Sequence, residues 1–208
     1  KNSEKIVSSV SSGVLICCSD IVVRTDDFDF LLTDNTGICV KADFSTASNH
    51  GVMVCDDKFR MTDYLHKKDP SYLEEIAREL CLDGMLVDTG ITYFTDEFST
   101  ALKNLALSTE FDSLFSKKAV EICLYSDIIS LLSENVSRED YLKTETKDCD
   151  HHSVKELLFD SLSAFSMNVC EVVNEKFIHF GSSKEALHNI RMLTGGSDIY
   201  TKLDSFID

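Results

Sequence analysis

Hydrophobic periodicity changes repeatedly between Ser48 and Phe94, and that alternation most constrains the fold. GVMVC at residues 51–55 and the run over residues 59–65 are short apolar segments either side of Asp56-Asp57-Lys58, which reads as a hairpin. His66-Lys67-Lys68 follows at the strand end. Asp69 then stands where a helix cap belongs and Pro70 suits the first helical position. Leu73, Ile76, Ala77 and Leu80 recur at the helical period. Residues 85–94 return to a strand pattern, interrupted by Asp88-Thr89-Gly90. Strands alternating with a helix define an α/β class.

The remaining chain extends the pattern. GVLICC at residues 13–18 is a continuous apolar run, expected to be a strand buried on both faces as in a parallel sheet, with Ser19-Asp20 at its end. Residues 97–106, 119–132 and 154–165 are expected helices. Residues 177–180 read as a short strand, and Ser182 with Glu185 has capping-box spacing for a last helix to about residue 193. Residues 143–152 read as a polar loop in which His151 and His152 are solvated. No repeat or low-complexity run breaks the 208 residues.

A net charge of −16 disfavours nucleic-acid and anionic-membrane partners, which require clustered Lys and Arg. It leaves room for a small phosphorylated ligand held by a few local cations. Of the eight cysteines, those at 17, 18, 39, 55, 81, 123 and 170 sit in apolar runs without CxxC or Cys/His ligand spacing. They are expected to be reduced, buried thiols of a cytoplasmic protein. The apolar runs are too short to span a membrane.

Several residues invite a chemical reading beside a plainer one. Asp20, directly after a strand, fits a magnesium ligand and equally a cap or a solvated loop carboxylate. His66, Lys67 and Lys68, next to a helix N-terminus, fit a phosphate site or a solvated turn. Gly90 within a strand marks close approach of a ligand or a bulge. His179, between apolar neighbours, fits a hydrogen-bonded core histidine; Asp127 fits a ligand or a polar helix face. No GxSxG, Walker loop or Ser-His-Asp arrangement is present.

The ordered series GVLICCSD (13–20), HGVMVCDD (50–57), DYLHKKDP (63–70), LVDTGITYF (86–94), LYSDII (124–129) and FIHFGSSKEAL (177–187) resembles the sugar-nucleotide pyrophosphorylases, and within them the fucose-1-phosphate guanylyltransferase branch. That resemblance implies a Rossmann-like nucleotidyltransferase fold with a mixed sheet. It implies transfer of a guanylyl group from GTP to L-fucose 1-phosphate with magnesium, giving GDP-fucose and pyrophosphate. By the same resemblance Lys67 is the catalytic candidate holding the sugar phosphate and Asp20 the metal ligand. His66, Asp88, Thr89 and Gly90 are the substrate-binding set. The chain departs from the family at Lys68, where many relatives have Pro, and at His179, where many have Asp. No GGxGxR-type activation loop precedes Gly13. Residues 1–193 are therefore expected to be the latter part of a pyrophosphorylase domain and 194–208 a tail. The triphosphate half, and any further domains, are expected elsewhere in a larger polypeptide, with this segment inactive alone. The alternative is a non-catalytic binding or regulatory module.

Overall fold

The computed structural model describes residues 12–24, 32–115, 120–143, 149–172, 176–181 and 189–190. The strands are β1 (Val14–Cys17), β2 (Ile21–Arg24), β3 (Thr36–Ala42), β4 (Gly51–Cys55), β5 (Met61–His66), β6 (Met85–Phe94), β7 (Asn168–Glu171) and β8 (Lys176–His179). The α-helices are α1 (Phe44–Ala47), α2 (Pro70–Glu79), α3 (Asp96–Ala106), α4 (Thr109–Phe115), α5 (Arg138–Lys143) and α6 (Cys149–Leu162). The main sheet runs β5-β4-β6-β3-β7, with β1 also on β6; β2 and β8 form a separate pair. Among the described residues, only β3 and β7 pair in parallel; the other pairings are antiparallel. The architecture is mixed α/β.

Alternation along the strands feeds a core on each face. In β4, Met53 packs toward Phe98 of α3 and Leu158 of α6, while Val52 and Val54 pack with Leu73 and Ala77 of α2. Tyr64 and Leu65 divide in the same way. The sheet therefore lies between α3 and α6 on one face and α1 and α2 on the other.

The central feature is β6. One flank pairs with β3 along most of its length. The other is shared: β4 pairs with Leu86 and Val87, and β1 with Ile91 through Phe94. Neither strand ladder reaches Asp88 and Thr89, and Gly90 is met only by the Cys18 N–H, which donates to its carbonyl at 3.0 Å, so the sheet splits there. On the β3 side the register slips between Ile38 and Cys39, a bulge facing the same point. Gly90 makes the bend with φ +72°, and a Cβ there would stand 2.6 Å from the Cys18 sulfur. Only glycine meets both demands.

The hairpin, α2, β6 and α3 form where the periodicity predicts. Asp69 occupies the α2 N-cap but makes no side-chain cap bond, and Leu80, expected on the buried stripe, is 49% exposed. Other expectations are corrected. β1 is an antiparallel strand with Val14 and Cys17 exposed, not a strand buried on both faces. An apolar run does not distinguish these cases, because burial depends on what lies across the sheet. Residues 120–123 are non-helical, and the expected helix reduces to a π-helical turn (Leu124–Ile129) and a 3₁₀ turn (Ser130–Leu132). His151 and His152 are helical rather than in a loop, and His151 is buried. Of the seven free thiols described, only Cys39 is fully buried; Cys17 and Cys81 are exposed. The capping pair Ser182 and Glu185 and the proposed tail 194–208 lie outside the described residues.

Candidate functional site

The split in the sheet opens a cleft of about 330 Å³. Its lining includes the six site residues that the resemblance implies, Asp20, His66, Lys67, Asp88, Thr89 and Gly90, together with His179; Lys68 and Asp127 lie outside it. Five elements bring them together. β1 ends at the rim with Cys18 and Asp20, β5 delivers His66 and Lys67, and β6 provides the floor. The π-helical turn supplies Tyr125, and β8 supplies Phe177 and His179.

Asp88 lies at the floor, 5% exposed. Its Oδ1 accepts the Gly90 N–H at 2.7 Å and its Oδ2 accepts the Tyr64 hydroxyl at 3.1 Å. Burial pushes its pKa up to about 6, against the opposing pull of those two donors. Tyr64 reaches it across Gly51, where an added Cβ would fall 1.9 Å from the phenol oxygen. Thr89 is bonded within the sheet: its hydroxyl donates to the Ile38 carbonyl at 2.7 Å, closing the bulge from inside.

Lys67 is exposed and left-handed, with φ +47°. Its N–H donates to the His50 carbonyl at 3.0 Å, fixing the chain where it leaves β5. A non-glycine residue in this region carries strain, and such residues cluster at ligand clamps. Lys68 turns away from the lining and lies 6.0 Å from the Tyr72 ring centroid. The His66 ring is nearly parallel to Tyr64 and Tyr125, 6.4 and 6.2 Å away. Burial, then Lys67 and Lys68, lower its pKa and favour the neutral ring.

At the rim, Asp20 Oδ2 is 3.4 Å from His179 Nε2. The Asp20 carbonyl accepts the Phe180 N–H at 2.7 Å, so the β2–β8 pairing sets this corner. His179 is a half-buried cleft residue beside His50, ring centroids 4.9 Å apart. Among the described residues, the cleft thus carries Lys67, a rim carboxylate at Asp20 and a buried carboxylate at Asp88 on a partly aromatic wall. It can bind an anionic group at Lys67 and hydroxyl groups at Asp88.

Tyr64, Tyr125, Cys18 and His50 also line the cleft and were not among the sequence candidates. Tyr64 shares a strand face with His66, so period-two spacing was a usable signal. Tyr125 gave none, because its position depends on a π-helical turn. Asp127 lies outside the cleft lining and is not on a polar face: it is 3% exposed, on the buried side of that turn.

Comparison with known proteins bears out the family resemblance. The chain is 28% identical over 194 residues to a bifunctional fucokinase/GDP-fucose pyrophosphorylase of Arabidopsis thaliana. The match covers 86% of this chain and 17% of that protein, so the chain spans about a sixth of its relative's length. Among solved structures, the CTP:phosphocholine cytidylyltransferase of Streptococcus pneumoniae aligns over 92% of this chain and 62% of its own, at 10% identity and a TM-score of 0.46. A family model described as the fucose pyrophosphorylase domain matches residues 3–205, and the chain belongs to that family.

Proposed function

We propose that the cleft is the sugar-phosphate half of a nucleotidyltransferase site. In the intact protein it serves transfer of a guanylyl group from GTP to L-fucose 1-phosphate. The observation that carries this reading is the split at Asp88–Gly90, which sets a hydroxyl-accepting carboxylate in the same cleft as an exposed lysine. Family membership supports the reaction class, and the relative's name supports the sugar and the base.

A phosphate oxygen of the sugar 1-phosphate attacks the α-phosphorus of the triphosphate. The bond from that phosphorus to the bridging β-oxygen breaks, and pyrophosphate leaves. Attack by the substrate's own oxygen requires no covalent enzyme intermediate. Lys67 holds the sugar phosphate and offsets its charge against an acidic chain. Asp88 accepts hydrogen bonds from sugar hydroxyls, which orients the phosphate for in-line attack. His66, held neutral, borders the pocket without adding charge.

Asp20 fits a magnesium ion carried mainly by substrate phosphates. It is one half-exposed carboxylate at the rim, and the described residues contain no cluster of three ligating side chains. Magnesium is commonly held by one or two carboxylates plus substrate oxygens. When bound, it would supply charge neutralisation on the transferring phosphoryl group.

Pyrophosphate release from GTP plus fucose 1-phosphate and magnesium, measured on the intact protein, tests the reading. Lys67→Ala is expected to lower the rate by about 10²-fold, the scale of one lost charge-stabilising donor. Unchanged turnover in that variant removes Lys67 from the site. Calorimetry on this chain alone is expected to show fucose 1-phosphate binding and weak or no GTP binding.

A further inference from the structure

The π-helical turn Leu124–Ile129 has two faces with different chemistry. Toward the cleft, Tyr125 places its hydroxyl 2.9 Å from the Cys18 sulfur, and a Cβ on Gly90 would stand 3.5 Å from it. Burial and the nearby Cys18, Asp88 and Asp20 all raise the pKa of this phenol, so it stays protonated and able to donate. Away from the cleft, Asp127 fastens the turn to the core. Its Oδ2 accepts the Cys123 N–H at 2.7 Å, and its own N–H donates to the Cys123 carbonyl at 3.0 Å. This is the reciprocal logic of a capping box, closed by one residue. The Asp127 carbonyl accepts the buried Tyr141 hydroxyl of α5 at 2.7 Å. From α6, His151 Nε2 lies 3.4 Å from Asp127 Oδ2, and Lys155, 1% exposed, stands 4.4 Å over the Tyr141 ring.

A π-helical turn is rare and recurs at functional sites. Here it is short, preceded by non-helical residues, and carries a cleft-wall tyrosine two positions from a buried carboxylate. We propose that Asp127 is a positioning residue. By anchoring the π-helical turn to Tyr141 and His151, it holds Tyr125 against Cys18 and so fixes one wall of the cleft. The further consequence, that Tyr125 then contacts the bound sugar phosphate, rests on the function proposed above.

The test separates the two levels. In a Cys17→Ser background, alkylation of Cys18 by iodoacetamide is followed by peptide mass mapping on the full chain, without ligand. Tyr125→Ala uncovers Cys18 and sets the maximal rate. Asp127→Ala is expected to raise labelling about fivefold to tenfold toward that maximum, on the scale of one or two lost hydrogen bonds. Asp127→Asn keeps an oxygen for the Cys123 N–H and is expected to stay near the parent rate. Should Asp127→Ala fail to fold, Tyr141→Phe removes one anchor alone and is expected to raise labelling by a smaller factor. Parent-like labelling in a folded Asp127→Ala, or in Tyr141→Phe where Asp127→Ala does not fold, overturns the proposal.

The second arm is calorimetry with fucose 1-phosphate. Tyr125→Phe is expected to weaken binding about fivefold, and adding Asp127→Ala is expected to weaken it little further. Additive losses overturn the positioning role. No binding by the parent chain overturns the sugar-phosphate reading and Tyr125's contact with it, and labelling then decides the positioning role alone.

Discussion

Asp88 and Asp127 are equally inaccessible, yet their surroundings are opposite. Asp88 receives hydrogen bonds from neutral donors, the Gly90 N–H and the Tyr64 hydroxyl, and burial raises its pKa to about 6. Asp127 sits beside His151 and a backbone N–H, with Lys155 nearby; burial lowers the Lys155 pKa against the opposing attraction of Asp127. A buried carboxylate bonded into such a network is costly to remove, because its partners stay buried. One supplied only with neutral dipoles, on the wall of a cleft, is held at a cost to the fold, as groups kept for ligands commonly are. On the function proposed above, the two carboxylates divide the molecule into a region built to be stable and a region built to bind.

The sharpest way to break that division is to remove the anchored carboxylate. Asp127→Ala removes one partner from a buried His and a charged neighbour from a buried Lys, and is expected to destabilise by about 3–5 kcal/mol in urea unfolding. A loss under about 1 kcal/mol would place Asp127 with Asp88 as a dispensable carboxylate.

Asp88→Asn tests the other side through its sign. Its folded pKa of about 6 lies above the ordinary 3.8, so the native state holds the proton more tightly than the unfolded one. Its contribution to stability is full below pH 4 and is lost as pH rises through 6. Relative to the parent, Asp88→Asn is expected to be neutral at pH 4 and more stable by about 3 kcal/mol at pH 8, while losing affinity for fucose 1-phosphate. Equal stability differences at the two pH values would show that Asp88 is not buried at a cost.

Gly51→Ala acts on the same carboxylate from across the sheet. The new methyl collides with the Tyr64 hydroxyl, which must leave Asp88 or force β4 and β5 apart. Overpacking of this kind is expected to cost about 1–3 kcal/mol. Combining it with Tyr64→Phe, which removes the colliding oxygen, is expected to recover part of the loss by thermal unfolding.

The cleft is more legible in the sequence than the Asp127 anchor. Asp88-Thr89-Gly90 stands out because glycine inside an apolar strand needs a reason, and His66-Lys67 because a basic pair at a strand end is conspicuous on an acidic chain. Both signals are local. The Asp127 anchor joins residues 14 and 24 positions apart, and nothing in the period of either segment announces the contact. His151 therefore read as solvated, and residues 119–132 as one regular helix. The apolar run of β1 likewise identified a strand but not its edge-like exposure or its antiparallel partner. Periodicity reports the face a segment hides, not what covers it.

The smallest expected effect concerns Lys67, where the cleft again works against the fold. A left-handed lysine carries about 1 kcal/mol of strain that glycine does not. Lys67→Ala removes the charge and keeps the strain; Lys67→Gly removes both. The two variants are expected to lose sugar-phosphate affinity alike, because each lacks the cation. They are expected to differ in unfolding free energy by about 0.5–1 kcal/mol in favour of glycine, less whatever glycine loses to the greater freedom of its unfolded chain. Equal stability would mean that the turn after β5 relaxes once the lysine is gone, making its geometry a property of the cation rather than of the backbone. Retained affinity in both would move the phosphate anchor away from Lys67 and leave Asp88 as the cleft's remaining claim to a ligand.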